Sequence, residues 1–368
     1  MTGPLSIDRA LQSGGGLYCA AYTGLGDALL LGPILRELSR RYPGRVFYPE
    51  NPVLALYRRL GVPGLVDVQG SDPGLRRLLD PLDPALLAFL ERHRIAAVLN
   101  FRRDLLQHGD AYRRGAALLA ARGLHVSDLC SGTRASHHQT RHVAELAAEY
   151  AEGLGVSAPA SPGWLREAAG LPRSPARGPV VLYAGAGQVH KRLGPAFWIR
   201  LAGLLHPHAA GRLVVLAGVT EPERRDGQAI SDALRAAEVD HQLLVALDLF
   251  DVTTVLARAA VAVSCDTYLV HLCSALDVPL VGLYPATSAV MYGPHHPLAV
   301  SLSSPYYRRC PSRNAMGNCD AWEHGCDDTP CHDELSADDT AAHVTRLAGL
   351  GPGAARPDPI EVVAPCPP

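Results

Sequence analysis

Asp266 and Thr267 stand where the apolar run AVAVSC (260–265) gives way to the helix-forming stretch TYLVHLCSALD, and His271 lies about a turn further in. A strand that delivers its last residues to a helix start presents free backbone N–H groups and the positive end of the helix dipole, which suits an anion such as a diphosphate. Asp266 can equally cap that helix, and His271 can be an ordinary partly buried histidine. Lys191 and Arg192 stand just before PAFWIRLAGLL, where they can neutralise a departing anion or remain a solvated basic pair. Asp27 closes the glycine-rich turn TGLGD ahead of ALLLGPILRELSRRYPG. A carboxylate there can take a proton from a hydroxyl within hydrogen-bond reach or cap the helix, and the two roles can coexist. Cys310, Cys319, Cys326 and Cys331 form the last group, spaced by nine, seven and five, with His324 and His332 nearby. Four thiolates suit a tetrahedral metal, yet there is no tight C-x-x-C pair. Free thiols and disulfides therefore stand beside a structural metal site, disulfides being least favoured in a reducing cytoplasm.

The elements that must position these residues follow from the apolar pattern. LYCAAY, RVFYPE (45–50) and IAAVLNF (95–101) read as strands separated by helical segments, the first helix turning Leu29, Leu30, Ile34, Leu35 and Leu38 inward. In the second half PVVLYAGA, RLVVLAGVT, HQLLVAL, AVAVSCDT and PLVGLYPA are strand candidates alternating with helices, which predicts a parallel doubly wound sheet. Ligands of such sheets bind at the carboxyl ends of the strands, so the turns after Ala184, Ala217, Cys265 and Leu283 are where chemistry is expected. After Pro285 the alternation stops.

The predicted organisation is an N-terminal Rossmann-like domain over 1–155 and a Pro-rich linker over 156–178. A C-terminal Rossmann-like domain follows over 179–350, carrying the Cys-rich segment 310–331, and a disordered tail is expected over 351–368. At 368 residues two lobes are the default. The net charge of -2, from 34 basic and 36 acidic residues, offers no field for nucleic acid. No apolar run has the length of a membrane span, and no export signal is recognisable, so cytoplasm is the simplest location.

Three segments together resemble glycosyltransferase family 9, the heptosyltransferase family: TGLGDALLLGPILRELSRRYPG, YAGAGQVHKRLGPAFWIRLAGLL and SCDTYLVHLCSALDVPLVGLYPATSAVMYGP. The resemblance covers most of the chain in order and spacing, and implies an α/β GT-B fold of two facing Rossmann-like domains with parallel sheets. It further implies an inverting transferase that moves a sugar from a nucleotide-diphosphate donor, ADP-heptose first, to an acceptor hydroxyl. On this reading Asp27 is the catalytic base and Lys191 neutralises the leaving diphosphate. Gly185, Gly187, Lys191, Asp266, Thr267 and His271 line the donor site, with Glu221 or Glu223 near its ribose or base. Thr23, Gly24, Gly26, Asn100 and Arg102 lie on the acceptor side, where Arg103, His137 and His138 are further candidates. The family's chemistry needs no cofactor and no bound cation, and no D-x-D stands at a strand end here. Some members carry iron on a comparable Cys segment, which makes iron or zinc the metals to expect on the four cysteines. Three positions depart from the family pattern: Tyr268 replaces a small residue beside the phosphates, Tyr284 a phenylalanine and Tyr292 a tryptophan. A nucleotide-sugar epimerase or hydrolase with the same donor site, and a non-catalytic nucleotide-sugar-binding protein, are the rival readings.

Overall fold

A computed structural model describes residues 7–21, 24–71, 84–101, 109–128, 141–158, 161–172, 178–209, 213–311, 319, 326 and 329–349. Thr23, Arg102, Arg103, His137, His138, His324 and the tail expected over 351–368 lie outside them. The chain divides into two compact units, Met1–Ala160 and Ser161–Pro368.

In the first unit the order is α1 (Ile7–Leu11), β1 (Gly16–Ala20), α2 (Leu25–Arg41), β2 (Val46–Pro49), α3 (Pro52–Arg59), β3 (Gln69–Ser71), α4 (Pro84–Arg92), β4 (Ile95–Asn100), α5 (Gly109–Ala121), β5 (His125–Asp128) and α6 (Val143–Gly153). The strands form one parallel sheet in the order β3-β2-β1-β4-β5. β1 lies at its centre and is buried along its whole length, as a strand covered on both faces must be. The register sets Tyr18 beside Phe47 and Val98, and Ala20 beside Asn100. α2 turns Leu29, Ile34, Leu35 and Leu38 inward as expected, but Leu31 is buried where Leu30 is only half covered, so the apolar stripe is rotated slightly from the predicted one.

The second unit runs α7 (Trp164–Ala168), β6 (Val180–Tyr183), α8 (Pro195–Ala209), β7 (Leu213–Ala217), α9 (Glu221–Ala236), β8 (His241–Val245), α10 (Leu249–Ala257), β9 (Val261–Cys265), α11 (Tyr268–Ala275), β10 (Leu280–Tyr284), α12 (Ala289–Tyr292) and β11 (Ala299–Ser303), then two helices, Pro330–Asp333 and Ala337–Ala348. Its parallel sheet has the order β11-β10-β9-β6-β7-β8. The strand order reverses between β6 and β9, the switch point at which a doubly wound sheet opens a crevice at its carboxyl edge. Trp198, Leu201 and Leu205 of α8 share a core with Val215, Val263 and Leu283 of the strands and with Ala341 and Val344 of the last helix. α9 packs so closely on β7 that a methyl group on Gly227 would stand 2.4 Å from the Ala217 Cβ. Both atoms are fixed to backbone, so the helix would have to move. Gly227→Ala is therefore expected to destabilise this unit by about 1–3 kcal/mol, outweighing the roughly 1 kcal/mol that alanine gains over glycine in a helix. A urea titration reads this as a lower midpoint at unchanged slope.

Two expectations are corrected. The stretch 156–178 is not wholly a linker, because α7 within it is folded onto the second unit. Trp164, Leu165 and Arg166 are buried, and the Gly163 N–H donates to the Ser274 carbonyl at 2.8 Å. The Arg166 guanidinium donates to the carbonyls of Leu276, Pro172 and Ala257, which is how so polar a side chain can be buried. The strand alternation also continues past Pro285, since β11 pairs in parallel with β10 along its full length. Like β3, it is an edge strand, half solvated, and carries the mixed sequence AVSLS instead of an apolar run. No helix among the described residues is long and apolar enough to cross a membrane.

Candidate active site

In the first unit the turn after β1 leads into α2, and Gly24 is the helix N-cap, its backbone extended. Asp27, expected to close the turn, instead lies inside the first helical turn together with Gly26. A carboxylate in that turn is favoured by the helix dipole. It reaches back over the cap: a Cβ on Gly24 would stand 2.6 Å from Asp27 Oδ2, so glycine there leaves the room the carboxylate occupies. Asn51 fixes the same turn from the next crossover. Its Nδ2 donates to the Gly24 carbonyl at 3.4 Å while its Oδ1 caps α3 by accepting the Val53 N–H at 3.0 Å. Sequence reasoning missed Asn51, although Asn-Pro at a helix start is a cap signature. Tyr48, at the end of β2, is fully buried. Burial first, and then the Asp27 charge, hold its hydroxyl well above the ordinary tyrosine range. Asn100 ends the interior strand β4, between β1 and β5, and is wholly buried.

In the second unit Lys191 ends a short 3-10 turn after β6, and Asp266 follows β9. Seventy-five residues apart in sequence, they form an ion pair, Lys191 Nζ to Asp266 Oδ2 at 2.8 Å. Asp266 is buried and the ammonium about one-fifth exposed, so one face of the pair remains open. Two further contacts hold this loop. Arg192 pairs with Asp226 of α9 at 3.3 Å, and the His332 ring bonds to the His190 carbonyl at 2.7 Å. Burial, followed by the Lys191 charge, lowers the His190 pKa, which keeps that ring neutral. Thr267 is the N-cap of α11, its Oγ1 accepting the Leu269 N–H at 3.2 Å. His271 is buried one turn inside the same helix.

The two acidic candidates after β7 separate clearly. Glu221 is exposed and pairs with Arg224 at 2.8 Å. Glu223 is buried. Its Oε2 accepts the Thr220 N–H at 3.1 Å and the Thr220 hydroxyl at 2.6 Å, and its Oε1 accepts the Tyr183 hydroxyl at 3.4 Å. A Cβ at Gly185 would stand 2.5 Å from Glu223 Oε1 and 2.7 Å from the Tyr183 hydroxyl, and one at Gly218 2.4 Å from the same carboxyl group, so a side chain at either position would displace these groups. At Gly187 a Cβ would meet nothing within 4 Å. The Tyr284 hydroxyl donates to the Tyr292 carbonyl at 3.2 Å, so the two departures at those positions support each other.

The four cysteines lie in one region of the second unit. Cys319 is buried against Ala286, with Cys331 packed on them, while Cys326 is exposed. The Cys331 thiol is pushed up to about 11, by burial first and by the neighbouring Cys319, Cys310 and Cys326. Among the described residues no three His, Cys, Asp or Glu side chains are grouped to hold a metal ion.

Residues 133–319 match the family model for glycosyltransferase family 9 (heptosyltransferase), half of the chain. The chain belongs to glycosyltransferase family 9. The matched residues include Lys191, Glu223, Asp266, Thr267 and His271, while Asp27 lies before them. Among solved structures the fold is similar to that of the E. coli heptosyltransferase WaaC with ADP, at 18% identity and a TM-score of 0.54 over 90% of this chain and 99% of that one. It is similar also to a family 9 glycosyltransferase from Veillonella parvula, at 16% identity and a TM-score of 0.58 over 91% and 97%. A third is the iron-containing dodecameric glycosyltransferase TibC of enterotoxigenic E. coli, at 13% identity and a TM-score of 0.51 over 90% and 76%. A search of curated proteins finds no match. The two parallel α/β sheets of this family 9 glycosyltransferase thus have the GT-B fold that its segments imply.

Proposed function

We propose that the protein is an inverting glycosyltransferase that takes a sugar from a nucleotide-diphosphate donor, ADP-heptose first among them, and passes it to an acceptor hydroxyl. The observation that carries this reading is the Lys191–Asp266 pair at the switch point of the second unit's sheet, in a family 9 chain. Solved neighbours are described as heptosyltransferases with ADP and with ADP-2-deoxy-2-fluoro heptose, which supports the same donor class here.

In this mechanism the bond from the anomeric carbon to the diphosphate oxygen breaks as the acceptor oxygen bonds to the opposite face. Negative charge grows on the leaving diphosphate, where the Lys191 ammonium, already oriented by Asp266, and the start of α11 neutralise it. These supply the positive charge of the reaction. The acceptor hydroxyl loses its proton to Asp27. Asp27 lies outside the residues that match the family model, so its role rests on its place in the glycine-rich first turn of α2 and on the resemblance of that segment. Glu223 enters as a support of the donor site, both carboxylate oxygens being engaged within the protein.

Incubation with ADP-heptose, other ADP-sugars and dTDP-sugars, each with candidate hydroxyl acceptors, tests the reading by mass spectrometry. The expected product is an acceptor heavier by one sugar, with ADP released and the anomeric configuration inverted. Free sugar or an epimerised donor, formed equally with and without acceptor, would show a hydrolase or epimerase instead.

A further inference from the structure

The turn that carries Lys191 has little core packing to hold it. None of the residues Val189–Lys191 is buried, Val189 is 74% exposed, and a side chain at Gly187 would meet nothing within 4 Å. Polar contacts set its place instead, and three successive residues each reach a different element. Lys191 pairs with Asp266 after β9 at 2.8 Å, Arg192 pairs with Asp226 of α9 at 3.3 Å, and His190 is held through its backbone carbonyl by the His332 ring at 2.7 Å. A carbonyl oxygen only accepts, so His332 Nε2 carries the hydrogen of that bond.

His332 is well placed to act as a stop. It belongs to the short helix Pro330–Asp333, whose Cys331 packs on Ala286 and Cys319. Just past that helix the Glu334 carboxylate accepts from the Ser304 hydroxyl at 3.0 Å, from the Tyr306 N–H and from Arg309 at 2.8 Å. The helix is thus tied to the loops after β10 and β11, and His332 reaches from it to the loop after β6. Position 332 lies beyond the residues 133–319 that match the family model, so the contact is no part of that match.

We infer that His332 is a positioning residue of the donor site: by holding the His190 carbonyl it fixes the turn from which the Lys191 ammonium reaches the diphosphate. This rests on the donor site proposed above. The ammonium rides on a flexible four-carbon stem, so the place of its backbone decides what it can meet. His332 acts through Lys191 and not on the donor itself.

Two measurements on the full chain test this, with His332→Leu, which keeps bulk and removes the donor, and His332→Gln, which restores an N–H near the place of Nε2. The first is hydrogen exchange without ligand, read at the Lys191 and Arg192 amides, which donate to the Gln188 and Val189 carbonyls at 3.1 and 3.0 Å. Exchange there should quicken in the leucine variant and return towards the original rate with glutamine. The second is calorimetric titration with ADP, with His332→Leu placed both in the unaltered chain and in Lys191→Ala. In the unaltered chain leucine should weaken binding by about 3- to 10-fold, the size of one hydrogen bond, and glutamine should recover most of it. Once Lys191 is alanine, leucine should change the affinity by less than about twofold, because the two residues act as one unit. Unchanged exchange or unchanged ADP affinity in the leucine variant overturns the inference. An equal loss in both backgrounds overturns it too, since His332 would then act on the fold at large. If the unaltered chain does not bind ADP while exchange still quickens with leucine, the donor-site reading has failed, the positioning role falls with it, and the latch alone stands.

Discussion

Replacing Asp27 with alanine is expected to lower sugar transfer by about 10²–10⁴-fold, the usual contribution of a positioned general base, while ADP affinity stays within about twofold. The separation follows from where the residue lies. Asp27 belongs to the first unit, in the first turn of α2, and the residues proposed to hold the nucleotide all belong to the second. Asp27→Asn sharpens the test, because it keeps the side chain's shape beside Gly24 and removes only its ability to take a proton. Rates measured at saturating donor and acceptor should fall with both variants. An Asn variant that transfers sugar at the original rate would reduce Asp27 to a helix-start carboxylate.

The second large effect is expected at Lys191. Lys191→Ala removes the cation proposed to neutralise the leaving diphosphate and leaves the buried Asp266 carboxylate without its 2.8 Å partner. ADP affinity should fall by about 10- to 100-fold, as for loss of a charge-assisted hydrogen bond. Stability should fall as well, because a buried charge has lost its counter-ion. The double variant Lys191→Ala with Asp266→Asn separates the two consequences. Removing the carboxylate's charge should restore the thermal midpoint and leave ADP binding weak. If the double variant also recovers ADP binding, the lysine acts only to neutralise Asp266.

The central strands of both sheets were legible because each is an apolar run covered on two faces, such as VVLY in β6 and VAVSC in β9. β3, β5 and β11 were not, because QGS, HVSD and AVSLS form the sheet edges and need no such run. α7 was hidden by the prolines around it, since burial there is secured by Arg166 reaching carbonyls far along the chain. In the candidate site Lys191 and Asp266 were both named from sequence, while their pairing is a property of the switch point and spans 75 residues. Glu221 and Glu223 are equivalent as letters in AGVTEPE and differ only once α9 has formed, one facing Arg224 and the other Tyr183. Asn51 was missed because a capping residue declares its own helix and not the second turn it secures.

The glycines around Glu223 alter how the AGAG segment after β6 is understood. Such a run is usually read as backbone stripped bare for a phosphate, but at Gly185 the space left by the missing side chain is filled from inside by a glutamate, and Gly218 makes room for the same group. The room is thus taken at Gly218 by Glu223 and at Gly185 by Glu223 together with Tyr183. Across relatives, positions 218 and 223 should therefore change together: where the acid is replaced by a smaller residue, Gly218 becomes free to vary, while position 185 still answers to the Tyr183 side chain.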